Sequence, residues 1–101
     1  MDIKQNILDG TATMSLTGSF IFDTNRAFRD SYESLLRTSG IRNLEIDLGG
    51  VDYIDSSALG MLLLLKDKAD TCKIAVRLSR SKGAVKEILE VASFGRLFPM
   101  T

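Results

Sequence analysis

Three short segments of this 101-residue chain alternate strictly between apolar and polar side chains, and that rhythm limits the folds open to it. Residues 11–17 put Ala12, Met14 and Leu16 on one side and hydroxyls on the other. Residues 44–48 and 74–78 do the same with Leu44, Ile46, Leu48, Ile74, Val76 and Leu78. Successive side chains of a strand point to opposite faces, so each segment reads as a half-buried strand. A parallel sheet covered on both faces would read instead as unbroken apolar runs. Helices are therefore expected on one face only, with Glu45, Asp47 and Arg77 carried into water on the other as a cross-strand charge group.

The intervening segments supply those helices. Residues 3–8 are a weaker strand candidate, joined to 11–17 by Asp9-Gly10, a hairpin signal. Asp23-Thr24-Asn25 can cap a helix in which Phe28, Tyr32, Leu35 and Leu36 recur at helical spacing and which Ser39-Gly40 closes. A second helix is expected over residues 56–70. A third, over 82–92, turns Val85, Ile88, Leu89 and Ala92 inward. The order is β-β-α-β-α-β-α, with residues 97–100 as a candidate last strand. The fold class is thus a mixed α/β sheet, antiparallel in its opening hairpin and parallel with right-handed crossovers thereafter. No repeat or linker divides the chain, so residues 1–101 read as one domain, large enough to bury about 60–70% of its unfolded surface.

Several function classes recede on composition. There is no histidine, which removes the commonest general base, the commonest metal ligand and any phosphohistidine relay. No cofactor or metal is expected. Lys plus Arg equals Asp plus Glu at 13 each with no long run of one sign, so neither nucleic acid nor an anionic membrane is an expected partner. The longest apolar stretch, residues 58–65, falls far short of the ~20 needed to span a bilayer. Cys72 is the single cysteine, and the first residues lack the apolar core of a signal peptide, so a cytoplasmic location is expected. Phe20 and Phe22 read as core, Cys72 as packed beside a strand start, and Gly49-Gly50 as a turn, since no Lys-Ser/Thr follows to make a phosphate loop.

The most informative run is residues 54–65, Ile-Asp-Ser-Ser-Ala-Leu-Gly-Met-Leu-Leu-Leu-Leu. With Asp55 as the helix N-cap, Ala58, Met61, Leu62, Leu65 and Ala69 share a core stripe, and Ser56, Leu59, Gly60 and Leu63 face out. Capping alone accounts for Asp55, Ser56 and Ser57, because their oxygens accept from amides left free in a first turn. The outward Leu59 and Leu63 point further, to a surface reserved for another protein. Once Asp55 caps, Ser56 need hold no amide, and its hydroxyl is free for a kinase. A phosphate there would sit in the positive field of a helix N-terminus, compatible with folding, yet near Asp52 and Asp55 at the rim of an apolar contact it would oppose docking. A hydrolase is not supported, as neither Gly-x-Ser-x-Gly nor Ser-x-x-Lys surrounds these serines.

Ile46-Asp-Leu-Gly-Gly-Val-Asp-Tyr-Ile-Asp-Ser-Ser-Ala-Leu-Gly closely resembles the signature of STAS domains, the anti-sigma factor antagonists and their relatives. The resemblance extends to Val85-Lys-Glu-Ile-Leu-Glu-Val and Phe94-Gly-Arg-Leu-Phe-Pro, nearly the whole chain. It implies a STAS-like sheet with helices on one face and no enzymatic activity. It also implies a GHKL-type serine kinase, serving as anti-sigma factor, as the partner. Phosphorylation of the serine after the signature aspartate releases that partner, and a PP2C-type phosphatase resets the cycle. Carried onto this chain, the acceptor is Ser56, with Ser57 as the alternative. The partner-binding residues are Asp23, Asp52, Asp55, Ser56, Ser57, Leu59, Gly60 and Leu63. The chain is expected to be a monomer or weak dimer. Departures are Ala58 in place of the first signature glycine, which stiffens the helix start, and Ile21 where the family often carries an aspartate, with Asp23 two residues on. The further C-terminal helix of many members does not follow Pro99, which is expected to expose apolar surface. A non-phosphorylated scaffold or ligand-sensing STAS module is the alternative function.

Overall fold

A computed structural model describes residues 1–101. Strands β1 (Asp2–Leu8) and β2 (Thr11–Phe20) are followed by a 3-10 turn (Phe22–Thr24) and helix α1 (Asn25–Leu36). Then come β3 (Asn43–Ile54), α2 (Ser56–Thr71), β4 (Ala75–Ser79), α3 (Gly83–Val91) and a second 3-10 turn (Phe94–Arg96). The sheet order is β1-β2-β3-β4. β1 pairs antiparallel with β2, and the two pairings that follow are parallel. Asp9 and Gly10 join the hairpin with φ of 50° and 81°, the doubly positive geometry whose twist matches the flanking strands.

The alternating segments bury one face, as expected. Ala12, Met14, Leu16, Leu44, Ile46, Leu48, Val76 and Leu78 form the sheet's share of a single core. Phe28, Tyr32 and Leu35 of α1, Ala58, Leu62, Leu65 and Ala69 of α2, and Val85 and Leu89 of α3 close over it. Each fully buried Leu contributes about 1.5–3 kcal/mol through the apolar area it removes from water. Lys68 helps hold α2 against α1, its ammonium 3.1 Å from Glu33 and 5.9 Å from the centre of the Tyr32 ring. On the open face Glu45 accepts hydrogen bonds from Arg77 and from Ser79 Oγ, and Arg80 lies 3.5 Å from Asp47.

Several expectations need correction. Gly49-Gly50 is not a turn: β3 runs through it to Ile54 beside a β2 that runs to Phe20. A Cβ on Gly50 would lie 2.8 Å from the Leu16 carbonyl oxygen, so the glycine lets two backbones approach where the register shifts. Helix α1 stops at Leu36, before Ser39-Gly40, and α3 leaves Ala92 exposed beyond its end. Phe22 is not core but 73% exposed, because the chain leaves the strand for a 3-10 turn and its alternation ends. Cys72 is exposed as the C-cap of α2. Of the outward residues of α2, Leu59 is half-buried on the flank of the core stripe, while Leu64, not expected outside, is 51% exposed.

Residues 97–100 make no full strand. Met100 forms one parallel bridge to Leu78, and the amides of Leu78 and Arg80 donate to the carbonyls of Pro99 and Thr101. Pro99 has no N–H to continue a ladder, and Phe98 turns inward to stack on Phe94 with ring centres 5.7 Å apart. Val91 and Leu97 are exposed nearby.

The two glycines predict opposite outcomes. Gly50→Ala is expected to destabilise by about 1–3 kcal/mol through overpacking against fixed backbone. Gly60→Ala, whose Cβ would meet nothing within 4 Å inside α2, is expected to stabilise by up to about 1 kcal/mol. Urea unfolding of both variants measures the two signs.

Candidate functional site

Buried Ile54 ends β3, and the next residue must turn the chain into α2. Asp55 does so in an extended conformation, φ −108° and ψ 178°, as the helix N-cap. Its Oδ1 accepts from the Ala58 amide at 3.0 Å and from Ser57 Oγ at 2.6 Å. Its Oδ2 accepts from the Phe22 amide at 3.1 Å, which ties the turn after β2 to the start of α2. The Ser57 hydrogen bond, helped by the backbone amides, holds the Asp55 carboxyl below its ordinary value against the opposing effect of desolvation. It is therefore a weak proton acceptor.

Ser57 is half-buried, and its oxygen also accepts from Asn25 Nδ2 at 3.2 Å. Ser56 differs on both counts. It is the first residue of α2, it is exposed, and its hydroxyl takes no part in the hydrogen bonds that occupy Asp55, Ser57 and Asn25.

Large apolar side chains are exposed on the segments that meet at this helix start and along α2 itself. Phe22 and Tyr53 are 73% and 54% exposed, and Leu63 and Leu64, about two turns into α2, are 39% and 51% exposed. Phe22, Asp23, Asn25, Arg26, Arg29 and Met61 line an open groove of about 600 Å³ between the 3-10 turn, α1 and α2. Asp23 thus sits on the groove that borders α2. Asp52, exposed, accepts from Ser19 Oγ at 3.3 Å across the ends of β2 and β3. Asp55, Ser56 and Ser57 are brought together at the helix start, and Gly60 and Leu63 follow on the exposed side of α2. Leu59 turns partly toward the core instead. Phe22, read as core, Asn25, read as part of a helix cap, and Leu64 were not among the partner-binding residues expected from the sequence. Helical stepping from Asp55 finds Leu64, whereas nothing in spacing signals that Asn25 reaches Ser57 from another helix.

A small α/β module with one bare-faced sheet and a serine turn presented at a helix N-terminus is the class these features define. The STAS domain family matches residues 2–101, and the chain belongs to that family. It is 38% identical over 89 residues to a STAS-domain-containing protein of Pseudomonas aeruginosa, across 88% of this chain and 86% of that one. Its fold resembles that of an anti-sigma factor antagonist from Mycobacterium paratuberculosis, with a TM-score of 0.87 at 19% identity over 98% of this chain and 83% of the other. It also resembles the Bacillus cell fate determinant SpoIIAA in its phosphorylated form, with a TM-score of 0.75 at 11% identity over 99% and 91%. No helix is long and apolar enough to cross a membrane.

Two carboxylates set a pH response. Hydrogen bonds from Ser79 and then Arg77 depress Glu45, as Ser57 and the backbone amides depress Asp55. A depressed carboxyl stabilises the fold fully above its ordinary value, 4.5 for Glu45 and 3.8 for Asp55, and that contribution fades as pH falls through the lower folded value. Asp55→Ala and Glu45→Gln are therefore expected to melt below wild type at neutral pH, the differences shrinking on acidification. Melting temperatures measured from pH 7 to strongly acidic buffer test this, and a gap independent of pH would contradict it.

Proposed function

We propose that this protein is an anti-sigma factor antagonist-type partner switch. It docks a GHKL-type serine kinase through the start and exposed side of α2, and phosphorylation at Ser56 releases that partner. A PP2C-type phosphatase then restores the unmodified state. The observation that carries the reading is the division of labour at the helix start. Asp55 supplies the side-chain cap of α2, and Ser56, one residue on, keeps an exposed and unengaged hydroxyl at the start of a helix that also exposes Leu63 and Leu64.

The arrangement supports both halves of a switch. A phosphate on Ser56 carries about −1.5 to −2 charges in the positive field of α2's N-terminus, so the helix tolerates it. The same charge beside an apolar contact must be desolvated on docking, at a cost of several kcal/mol when no cation meets it. A change of that size moves a micromolar complex beyond working concentration. The base for the transfer must come from the kinase, because the Asp55 carboxylate already serves three donors. Family membership and the fold shared with SpoIIAA, known in phosphorylated form, support the same reading.

Incubation with ATP and the GHKL-type kinases of the same genome, followed by intact mass, is the direct experiment. One added phosphate that disappears in Ser56→Ala is expected. No mass change with any of them would favour a non-phosphorylated scaffold or ligand sensor. Ser56→Asp is expected to keep the native circular dichroism and to melt within a few degrees of wild type while losing partner binding. Leu63→Lys is expected to spare the fold and weaken binding in a pull-down or calorimetric titration. A collapse of stability in either variant would assign those side chains to the fold.

A further inference from the structure

Ser57 carries the same chemical group as Ser56 and lies one residue away, so discrimination between them needs a cause. In transfer from a nucleoside triphosphate, the serine Oγ–P bond forms as the bridging P–O bond to the β-phosphate breaks. The hydroxyl proton passes to the kinase's base, and nucleoside diphosphate leaves. The oxygen must therefore release its proton outward and offer a lone pair in line with phosphorus. Ser57 is impeded in both respects. Its proton is given to Asp55 Oδ1 in a short 2.6 Å bond to a carboxylate, and a lone pair is taken by Asn25 Nδ2 at 3.2 Å.

We infer that Asn25 is a positioning residue that confines phosphoryl transfer to Ser56 by holding Ser57 in a two-sided hydrogen bond. The inference rests on the reading of Ser56 as phosphoacceptor. Asn25 reaches the site from the first residue of α1, across from α2. Its side chain makes no other hydrogen bond: Asn25 Oδ1 is buried and unpaired within the chain, so the amide's engagement is with Ser57 alone. Asp55 also holds Ser57, but it caps α2 and anchors Phe22, so its loss changes the whole turn. Asn25 is the member of the Asn25–Ser57–Asp55 chain that can be removed without removing the cap.

The experiment compares wild type, Ser56→Ala, Asn25→Ala and the double variant, each treated with GHKL-type kinase and ATP and mapped by phosphopeptide mass spectrometry. Wild type is expected to take phosphate at Ser56 and Ser56→Ala to take none. The double variant is expected to accept phosphate at Ser57. In Asn25→Ala alone the Ser57 share is expected to rise about tenfold, the factor that one lost hydrogen bond of ordinary net strength commands. Wild type labelled at Ser56 with Ser57 inert in every variant would overturn the inference alone. Wild type unlabelled would overturn the phosphoacceptor reading and this inference with it. If Asn25→Ala melts early, Asn25→Asp replaces it, since an acid in the first turn suits the helix yet has no N–H to donate. Independently of any kinase, deuterium isotope shifts at the serine Cβ carbons report hydroxyl exchange. Ser57 is expected to exchange slowly beside a fast Ser56, and equal rates in wild type would count against the hold.

Discussion

The Asp55 carboxylate accepts from the Ala58 amide inside α2, from the Ser57 hydroxyl beside it, and from the Phe22 amide in the 3-10 turn that follows β2. Three stretches of chain are thereby fixed to one side chain. The start of α2 is set relative to β3, the turn after β2 is drawn up against it, and α1, which follows that turn directly, inherits its place. The Asn25 contact to Ser57 is possible only because of this chain of dependence. An apolar residue at position 55 would take the side-chain acceptor away from the Ala58 amide and would also release Phe22.

The core supplies the rigidity that such a small cluster needs. One face of the sheet and one stripe from each helix are used up in a common interior, and the remaining sheet face is left to hydroxyls and paired charges such as Glu45 with Arg77. Of the large apolar side chains left outside, Phe22, Tyr53, Leu63 and Leu64 lie on the segments that meet at the start of α2 or along that helix, while Ile7, Leu8, Val91 and Leu97 lie on the opening hairpin, on α3 and after the last 3-10 turn. Folding and the proposed recognition therefore draw on different sides of the same helix: Ala58, Leu62 and Leu65 inward, Leu63 and Leu64 outward.

How far the sequence revealed this follows from what each signal depends on. Alternation and helical spacing depend on the division between core and water, and they gave the strands of residues 11–17, 44–48 and 74–78, the three helices and the uncovered face. The extension of β3 through Gly49-Gly50 depends on how closely β2 passes, a long-range fact that two glycines read locally as a turn cannot disclose. Phe22, read as core because it is an apolar residue flanking a helix start, is exposed because the chain leaves β2 there for a 3-10 turn. Leu59 was assigned outward at the margin of a stripe, where a small rotation decides exposure, and Leu64 was assigned to neither side. Asp55 as cap was legible from residue type and position, and it held; the reach of Asn25 was not, since it joins residues 32 apart in the chain.

The pairing of residues 99–101 with Leu78 and Arg80 has a consequence for how copies of this protein behave in a crowded solution. Those last residues act as a selvedge along β4, consuming amide donors that a neighbour's backbone would otherwise meet. Lateral growth of the ribbon is left to the far border, β1, where Ile7 and Leu8 are exposed at the hairpin end and the opposite charges of Asp2 and Lys4 at the other end make a poor template for stacking into fibrils.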